Sequence, residues 1–285
     1  MNVNVDPTRT KNSMKERSAS SKTATLKVFY ANARSIRNKF SDLEELVFTE
    51  NYDVIGITES WLNTQDRDFL AEYSLPGYVM FENSRINKNG GGVLFYIKES
   101  LNPTLVSKPQ IVNVDTSFVL IKNNKGTKII LALIYRPPAQ SVQTDREIYE
   151  QIADVSNSQD TVFFGDFNLP VTKWGDTLTS HSGHDLYTNL QESSLYQFVR
   201  MPTRGNNVLD IVLATKEELI ENLNVGDEFS NSDHRTITFT LNFTSNEPNS
   251  SIEKVPNFKK ANFHKLRAMF KETDWSFLNN NNDIL

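Results

Sequence analysis

Residues 162–168 set an apolar run in front of Gly165-Asp166-Phe167-Asn168. Side chains of an extended chain alternate, so Asp166 and Asn168 are expected on one side of it. A carboxylate and an amide placed together can accept a proton or bind a cation while donating a hydrogen bond, although both residue types are also common in turns. A second candidate is Asn231-Ser232-Asp233-His234, directly ahead of the alternating residues 236–241. An acid next to an imidazole that titrates near neutrality suits acid–base or phosphate chemistry. Glu59 closes the apolar run 53–58 and is either a solvated sheet-edge residue or a ligand for a hard cation. Tyr135, followed by Arg136-Pro137-Pro138, reads as a core aromatic with its hydroxyl at the rim and prolines that stop the strand. Asp210 lies inside the apolar stretch 209–213, where an acid needs a partner to offset its desolvation; a histidine would serve.

The other signals are weaker. Of the four histidines, His234 alone has an adjacent carboxylate. His181 and His184 form an H-x-x-H pair in a Ser/Gly loop with no helical pattern to converge them on zinc, and His264 reads as a solvated helix residue. Gly90-Gly91-Gly92 fits neither phosphate-loop pattern and is better read as a glycine hairpin entering the next strand. Asn242-Phe243-Thr244 matches a glycosylation sequon by pattern only.

These residues need a scaffold, and the 285-residue chain is long enough for one large α/β domain or two smaller ones. With 38% hydrophobic residues, 11% aromatic residues and a net charge of -5, its composition is that of a folded globular protein. No apolar stretch approaches the roughly 20 residues of a membrane span. The N-terminus has no apolar signal region, so a nuclear or cytoplasmic location is expected rather than secretion. Without cysteine there is no disulfide, no thiol nucleophile and no zinc ribbon, and any metal must sit on oxygen or imidazole.

Residues 1–25 carry five bases against two acids and read as a flexible basic leader. The remainder has 25 bases against 33 acids, a net charge of -8, which argues against a simple polycation that grips nucleic acid by bulk charge. Strands are expected at 27–31, 54–58, 78–81, 92–97, 118–121, 129–135, 161–164, 209–213 and 236–241. A helix is expected from about Ser41 on the stripe Phe40, Leu43, Leu46, Val47, with Glu44 as a capping-box partner. A second is expected through Ile148, Ile152 and Val155, and a third through Leu186, Leu190 and Leu195. This mixture predicts a pair of mixed sheets flanked by helices. Residues 244–256 read as a linker, followed by a helical stripe at Phe263, Leu266 and Phe270.

The order of the candidates along the chain is more informative than any one of them. Asn32, Glu59, Tyr135, Asp166-x-Asn168, Asp210 and Asp233-His234 resemble the metal-dependent endonuclease/exonuclease/phosphatase superfamily over residues 26–243. Asn32-Ala33-Arg34-Ser35 with Asn38-Lys39, Thr58-Glu59-Ser60-Trp61, Gly90-Gly91-Gly92-Val93, Tyr135-Arg136-Pro137-Pro138, residues 165–170 and Pro202-Thr203-Arg204 are similar to the apurinic-type endonuclease domain of LINE-type (non-LTR) retrotransposons.

The resemblance implies an α/β fold, a four-layer α/β/β/α sandwich over residues 26–244. It also implies that residues 245–285 are a linker and the start of a helical connection toward a reverse transcriptase domain. By the same analogy Glu59 binds Mg2+, or Mn2+ in its place, assisted by Asn32 and Asp233. Asp166 and Asn168 position and activate water, Tyr135 contacts the scissile phosphate, and His234, oriented by Asp210, stabilises developing charge. Arg34 stands where apurinic-type members often carry an acid, which leaves one or two metal ions open. The implied partner is DNA, with Arg34, Arg136 and Arg204 as substrate-binding residues and Arg37, Lys173 and Arg235 as further bases for backbone phosphates. The implied activity is nicking of a phosphodiester to leave a 3′ hydroxyl for target-primed reverse transcription. The alternatives are a phosphoesterase acting on small phosphate esters and a truncated, non-catalytic DNA-binding remnant.

Overall fold

Alternating apolar residues build two mixed six-stranded sheets. The computed structural model describes residues 25–62, 67–85, 90–123, 126–171, 173–175, 183–243 and 271–272. The chain divides into two units, Met1–Asn246 and Glu247–Leu285. Most of the expected leader, the linker, His181, His264 and the helical stripe 263–270 lie outside the described residues.

The first sheet runs in the order β11 (Ile220–Glu228), β12 (Arg235–Asn242), β1 (Thr25–Asn32), β2 (Val54–Thr58), β4 (Val93–Lys98), β3 (Tyr78–Asn83). The second runs β5 (Thr104–Leu105), β6 (Asp115–Lys122), β7 (Lys128–Tyr135), β8 (Thr161–Val171), β10 (Val208–Ala214), β9 (Tyr196–Gln197). Each has one parallel pair at its centre, β1 with β2 and β7 with β8; the other pairings are antiparallel. Parallel neighbours need a crossover, and helices supply both. α1 (Phe40–Glu50) joins β1 to β2, and α3 (Val142–Ser158) joins β7 to β8. A short α2 (Arg67–Ala71) precedes β3, and α4 (His184–Glu192) precedes β9.

Period-two alternation sorts the faces. Phe29, Ala31, Ile55, Ile57, Leu94 and Tyr96 form one cluster with Leu43 of α1 and Phe69 of α2. Val28, Tyr30, Val54 and Phe95 point the other way, into the space between the sheets. Phe164 anchors that space, with edge-to-face contacts to Tyr30, Phe95 and Phe239. Gly56 makes room for it, since a Cβ there would lie 2.6 Å from Phe164 Cε2. Ile148, Ile152 and Val155 of α3 and Leu186 and Leu190 of α4 complete the core.

The inner-face columns change character at one end of the sandwich. Val28 and Tyr30 are followed by Asn32, Val162 and Phe164 by Asp166, and Leu131 and Leu133 by Tyr135. The spacing that buries the apolar members therefore delivers the polar ones to the same side.

Several expectations need correction. α1 starts at Phe40 with Lys39 as N-cap and no side-chain cap bond, so Ser41 lies inside the first turn and forms no capping box with Glu44. Leu195 lies beyond α4, which stops at Glu192. β8 does not end near Phe164 but runs to Val171, through Asp166 and Asn168. β11, unexpected from the sequence, pairs with β12 through two register shifts.

Candidate active site

Asp210 and His234 meet at the polar end of the sandwich. Oδ2 of Asp210 lies 2.8 Å from His234 Nδ1, and Oδ1 accepts a hydrogen bond from the Tyr30 hydroxyl at 2.6 Å. The backbone N–H of Asp210 donates to Thr203 Oγ1 at 3.0 Å, which holds the strand where the β8–β10 register shifts. The Tyr30 hydroxyl also lies 2.9 Å from Thr58 Oγ1. Ser232 ties the histidine's loop to β1, its Oγ donating to Asn32 O at 2.6 Å and accepting the His234 N–H at 3.2 Å. Tyr30 is a neighbour that the sequence did not single out, and Thr203 and Ser232 stand in its motifs without a role assigned to them. A tyrosine in an apolar strand reads as core, and hydroxyls that serve backbone groups leave no pattern in spacing.

Asp166 faces Asp210 across the antiparallel β8–β10 pair, and one ligand atom from each of Asp166, Asp210 and His234 falls within 4.8 Å of the others. All three side chains are buried. Burial, then the charge of Asp210, raises the Asp166 carboxyl well above its ordinary value, against an opposing effect of His234. Burial alone would lower the His234 pKa, but the hydrogen bond and charge of Asp210, with the charge of Asp166, outweigh it and push the imidazole up to about 8.

Asn168 is not placed by simple alternation. Its φ of 47° is left-handed; its backbone N–H donates to Asp166 Oδ1 at 2.9 Å, and its Nδ2 donates to Arg136 O at 3.0 Å. The amide thus braces the carboxylate from behind. Tyr135 stands beside Asp166 in the parallel β7–β8 register. Burial, then the charges of Glu59 and Asp166, raise its phenol, so it stays a proton donor.

Asn32, wholly buried, links Glu59 to this group. Its Nδ2 donates to Glu59 Oε1 at 3.1 Å and to Asp166 Oδ2 at 2.9 Å, while its Oδ1 accepts the Arg34 N–H at 3.1 Å. Asn32 thus bridges two carboxylates through its Nδ2 while its side-chain oxygen accepts from the backbone. Asp233 pairs with two arginines: its Oδ2 lies 3.1 Å from Arg34 Nη1 and 2.7 Å from Arg204 Nη2. Although burial opposes them, Arg204 and Arg34 hold the Asp233 carboxyl below the usual range. Its Oδ1 is buried without a hydrogen-bond partner. Of the trio expected as metal ligands, Asn32 contacts Glu59 directly, while Asp233 pairs with Arg34 and Arg204 through Oδ2.

Arg34 and Arg204 converge as exposed cations at the mouth. Arg136 corrects the expectation that placed it on substrate. Its side chain is fully buried, its Nε and Nη2 fork onto Asp145 at 2.7 and 3.0 Å, and its Nη1 donates to Phe167 O at 3.2 Å. It pins the Asp166–Asn168 segment and offers nothing to a phosphate. Arg37 lies over the Phe69 ring, 5.7 Å from its centroid, while Lys173 and Arg235 are exposed.

A divalent cation fits this donor set. Asp166, Asp210 and His234 bring ligand atoms within 4.8 Å of one another, Asn32 links Glu59 to Asp166, and the raised pKa of Asp166 registers a shortage of positive charge beside it. Oxygen donors without sulfur suit a hard ion.

The endonuclease domain of TRAS1, a telomere-specific non-LTR retrotransposon, superposes with a TM-score of 0.61 at 19% identity, covering 78% of this chain and all of that one. An AP endonuclease, LMAP, from Leishmania major gives 0.62 at 13% identity over 77% of this chain and 88% of its own. The 3′ phosphatase NExo from Neisseria, bound to product DNA hairpin, gives 0.58 at 16% identity over 76% and 100%. At these identities the likeness is one of fold. A sequence search of curated proteins returns no match. Residues 29–234 match the Endonuclease/Exonuclease/phosphatase family, and the chain belongs to that family of phosphoesterases.

Proposed function

We propose that the chain is a divalent-cation-dependent DNA endonuclease that cuts one strand and leaves a 3′ hydroxyl. The observation that carries this reading is the buried Asp210–His234 pair beside Asp166, joined to Glu59 through Asn32. The sequence motifs and the fold shared with a retrotransposon endonuclease domain support DNA as substrate.

A phosphodiester is anionic and repels nucleophiles, so the site must offset charge and align water in line with the leaving oxygen. Glu59 would hold the cation, Mg2+ or Mn2+, with Asp166 beside it and Asp233 contributing through Oδ1; Asn32 acts by fixing the two carboxylates. When bound, the cation neutralises phosphate charge and leaves the surrounding carboxylates ionised. Asp166, braced by Asn168, accepts the proton of the attacking water as its oxygen bonds to phosphorus and the bond to the 3′ oxygen breaks, the departing 3′ oxygen taking a proton from solvent. His234, with Nδ1 on Asp210, presents Nε2 to the phosphoryl oxygen, and the Tyr135 hydroxyl donates to the same group. Arg34 and Arg204 contact backbone phosphates at the mouth. A 3′ hydroxyl suits priming by a reverse transcriptase domain, the partner that the motifs imply.

The test compares supercoiled plasmid with inositol phosphates as substrates in Mg2+. Nicked circles whose ends a DNA polymerase extends directly are expected, with no phosphate released from the small esters. Phosphate release without nicking would instead favour a small-ester phosphatase, and plasmid binding without turnover a non-catalytic remnant.

A further inference from the structure

Two features of the sequence remain without a task, the glycine run at residues 90–92 and the tryptophan two places after Glu59. They touch each other. The backbone N–H groups of Ser60 and Trp61 donate to the carbonyls of Gly92 and Gly91 at 3.2 and 2.9 Å. On the opposite side, the N–H groups of Ser35 and Ile36 donate to the carbonyls of Glu59 and Ser60 at 2.8 and 3.1 Å. Clamped from both sides, Glu59 and Trp61 both adopt left-handed backbone conformations, with φ of 51° and 55°. The seat has no room for side chains of its own. Gly91 and Gly92 have positive φ, and a Cβ on Gly92 would lie 2.5 Å from Ser60 Oγ.

This backbone geometry turns the Trp61 ring back onto Glu59. Its Nε1 donates to Glu59 Oε2 at 3.0 Å, while Asn32 takes Oε1. We propose that Trp61 is a positioning residue that orients the Glu59 carboxylate for cation binding, with the glycine run as its seat. The inference rests on the reading of Glu59 as the residue that holds the cation.

The donor's chemistry is what makes the arrangement useful. A glutamate among other carboxylates is repelled by them, and a donor on Oε2 adds to the hold that Asn32 has on Oε1. A lysine or arginine would hold it but would also neutralise it and compete with the cation. Indole N–H is neutral and only donates, so it fixes the carboxylate and leaves its charge available. Outer partners of this kind commonly control metal affinity about ten- to a hundredfold.

The test is calorimetric titration of Mn2+ into wild type, Trp61→Phe and Trp61→His, with melting temperatures recorded without cation. Trp61→Phe keeps a ring and loses the donor, so affinity is expected to fall by about tenfold or more while melting changes little. Trp61→His retains a ring N–H and is expected to recover part of the loss. Unchanged affinity in Trp61→Phe, or equal losses in both variants, would overturn the proposal. The wild-type chain gives an independent readout. Mg2+ is expected to shift its tryptophan emission and to leave Glu59→Gln unchanged; no shift in wild type also counts against it. Normal Mn2+ binding without nicking would strike the endonuclease reading and leave this inference standing.

Discussion

The carboxylate of Asp210 stands 2.8 Å from Nδ1 of His234, and the two side chains are 0% and 1% exposed. That contact decides which ring nitrogen is left for substrate. Replacing Asp210 with Asn keeps the shape but removes the charge that favours imidazolium and alters the tautomer that is held. Nicking by Asp210→Asn is expected to fall at least about a hundredfold, the scale of losing one charge-stabilising group. A plasmid assay at matched protein concentration checks this, and a loss of less than about threefold would contradict it.

The same pair makes the stability of the cation-free protein depend on pH. The imidazole pKa is pushed from 6.5 to about 8 on folding, so its contribution is fully present below pH 6.5 and is lost as pH rises through about 8. The shift corresponds to about 2 kcal/mol. Urea unfolding in EDTA should show lower stability at pH 9 than at pH 6, and His234→Gln should reduce that difference. Equal slopes in the two proteins would count against the pairing.

Arg136 separates a structural arginine from a substrate-binding one. Removing it leaves Asp145 charged, buried and unpartnered, which costs about 3–5 kcal/mol. Arg136→Met is therefore expected to destabilise the fold by that amount in denaturant unfolding, and the double variant with Asp145→Leu to recover much of it. If Arg136→Met instead kept its stability and lost only DNA affinity, the buried-pair account would fail.

Arg34 and Arg204 should behave in the opposite way. Each is exposed at the mouth and proposed to meet one backbone phosphate, so Arg34→Ala or Arg204→Ala should lower DNA affinity for all sequences alike. Each should also reduce the slope of log affinity against log salt by about 1. Fluorescence anisotropy of a labelled duplex across a salt series measures this, and an unchanged slope in both would remove them from the interface.

What the sequence could and could not show follows from the physics of each element. β2 was legible because five successive buried residues leave an apolar run bounded by polar ones. β11 was not: Asn222, with φ 52°, lies where the register slips, so Ile220 and Leu223 fall three residues apart and break the alternation. Asp166, Asp210 and His234 were legible as chemistry because buried acids and an imidazole demand partners. Tyr30, Ser232 and Thr203 were not, because each acts across a large sequence separation or on the backbone. Arg136 was misplaced because a conspicuous arginine beside two prolines looks alike whether its partner is a phosphate or the Asp145 carboxylate, and only burial distinguishes them.

Glu59, Asp166, Asp210 and His234 are proposed to form one cation-dependent hydrolytic centre. The most direct measurement is relaxation of supercoiled plasmid by wild type in Mg2+, by wild type in EDTA, and by Glu59→Ala and His234→Ala in Mg2+. Nicking is expected in the first condition only, with each variant reduced at least about a hundredfold. Equal nicking by wild type and both variants, or full activity in EDTA, would contradict it.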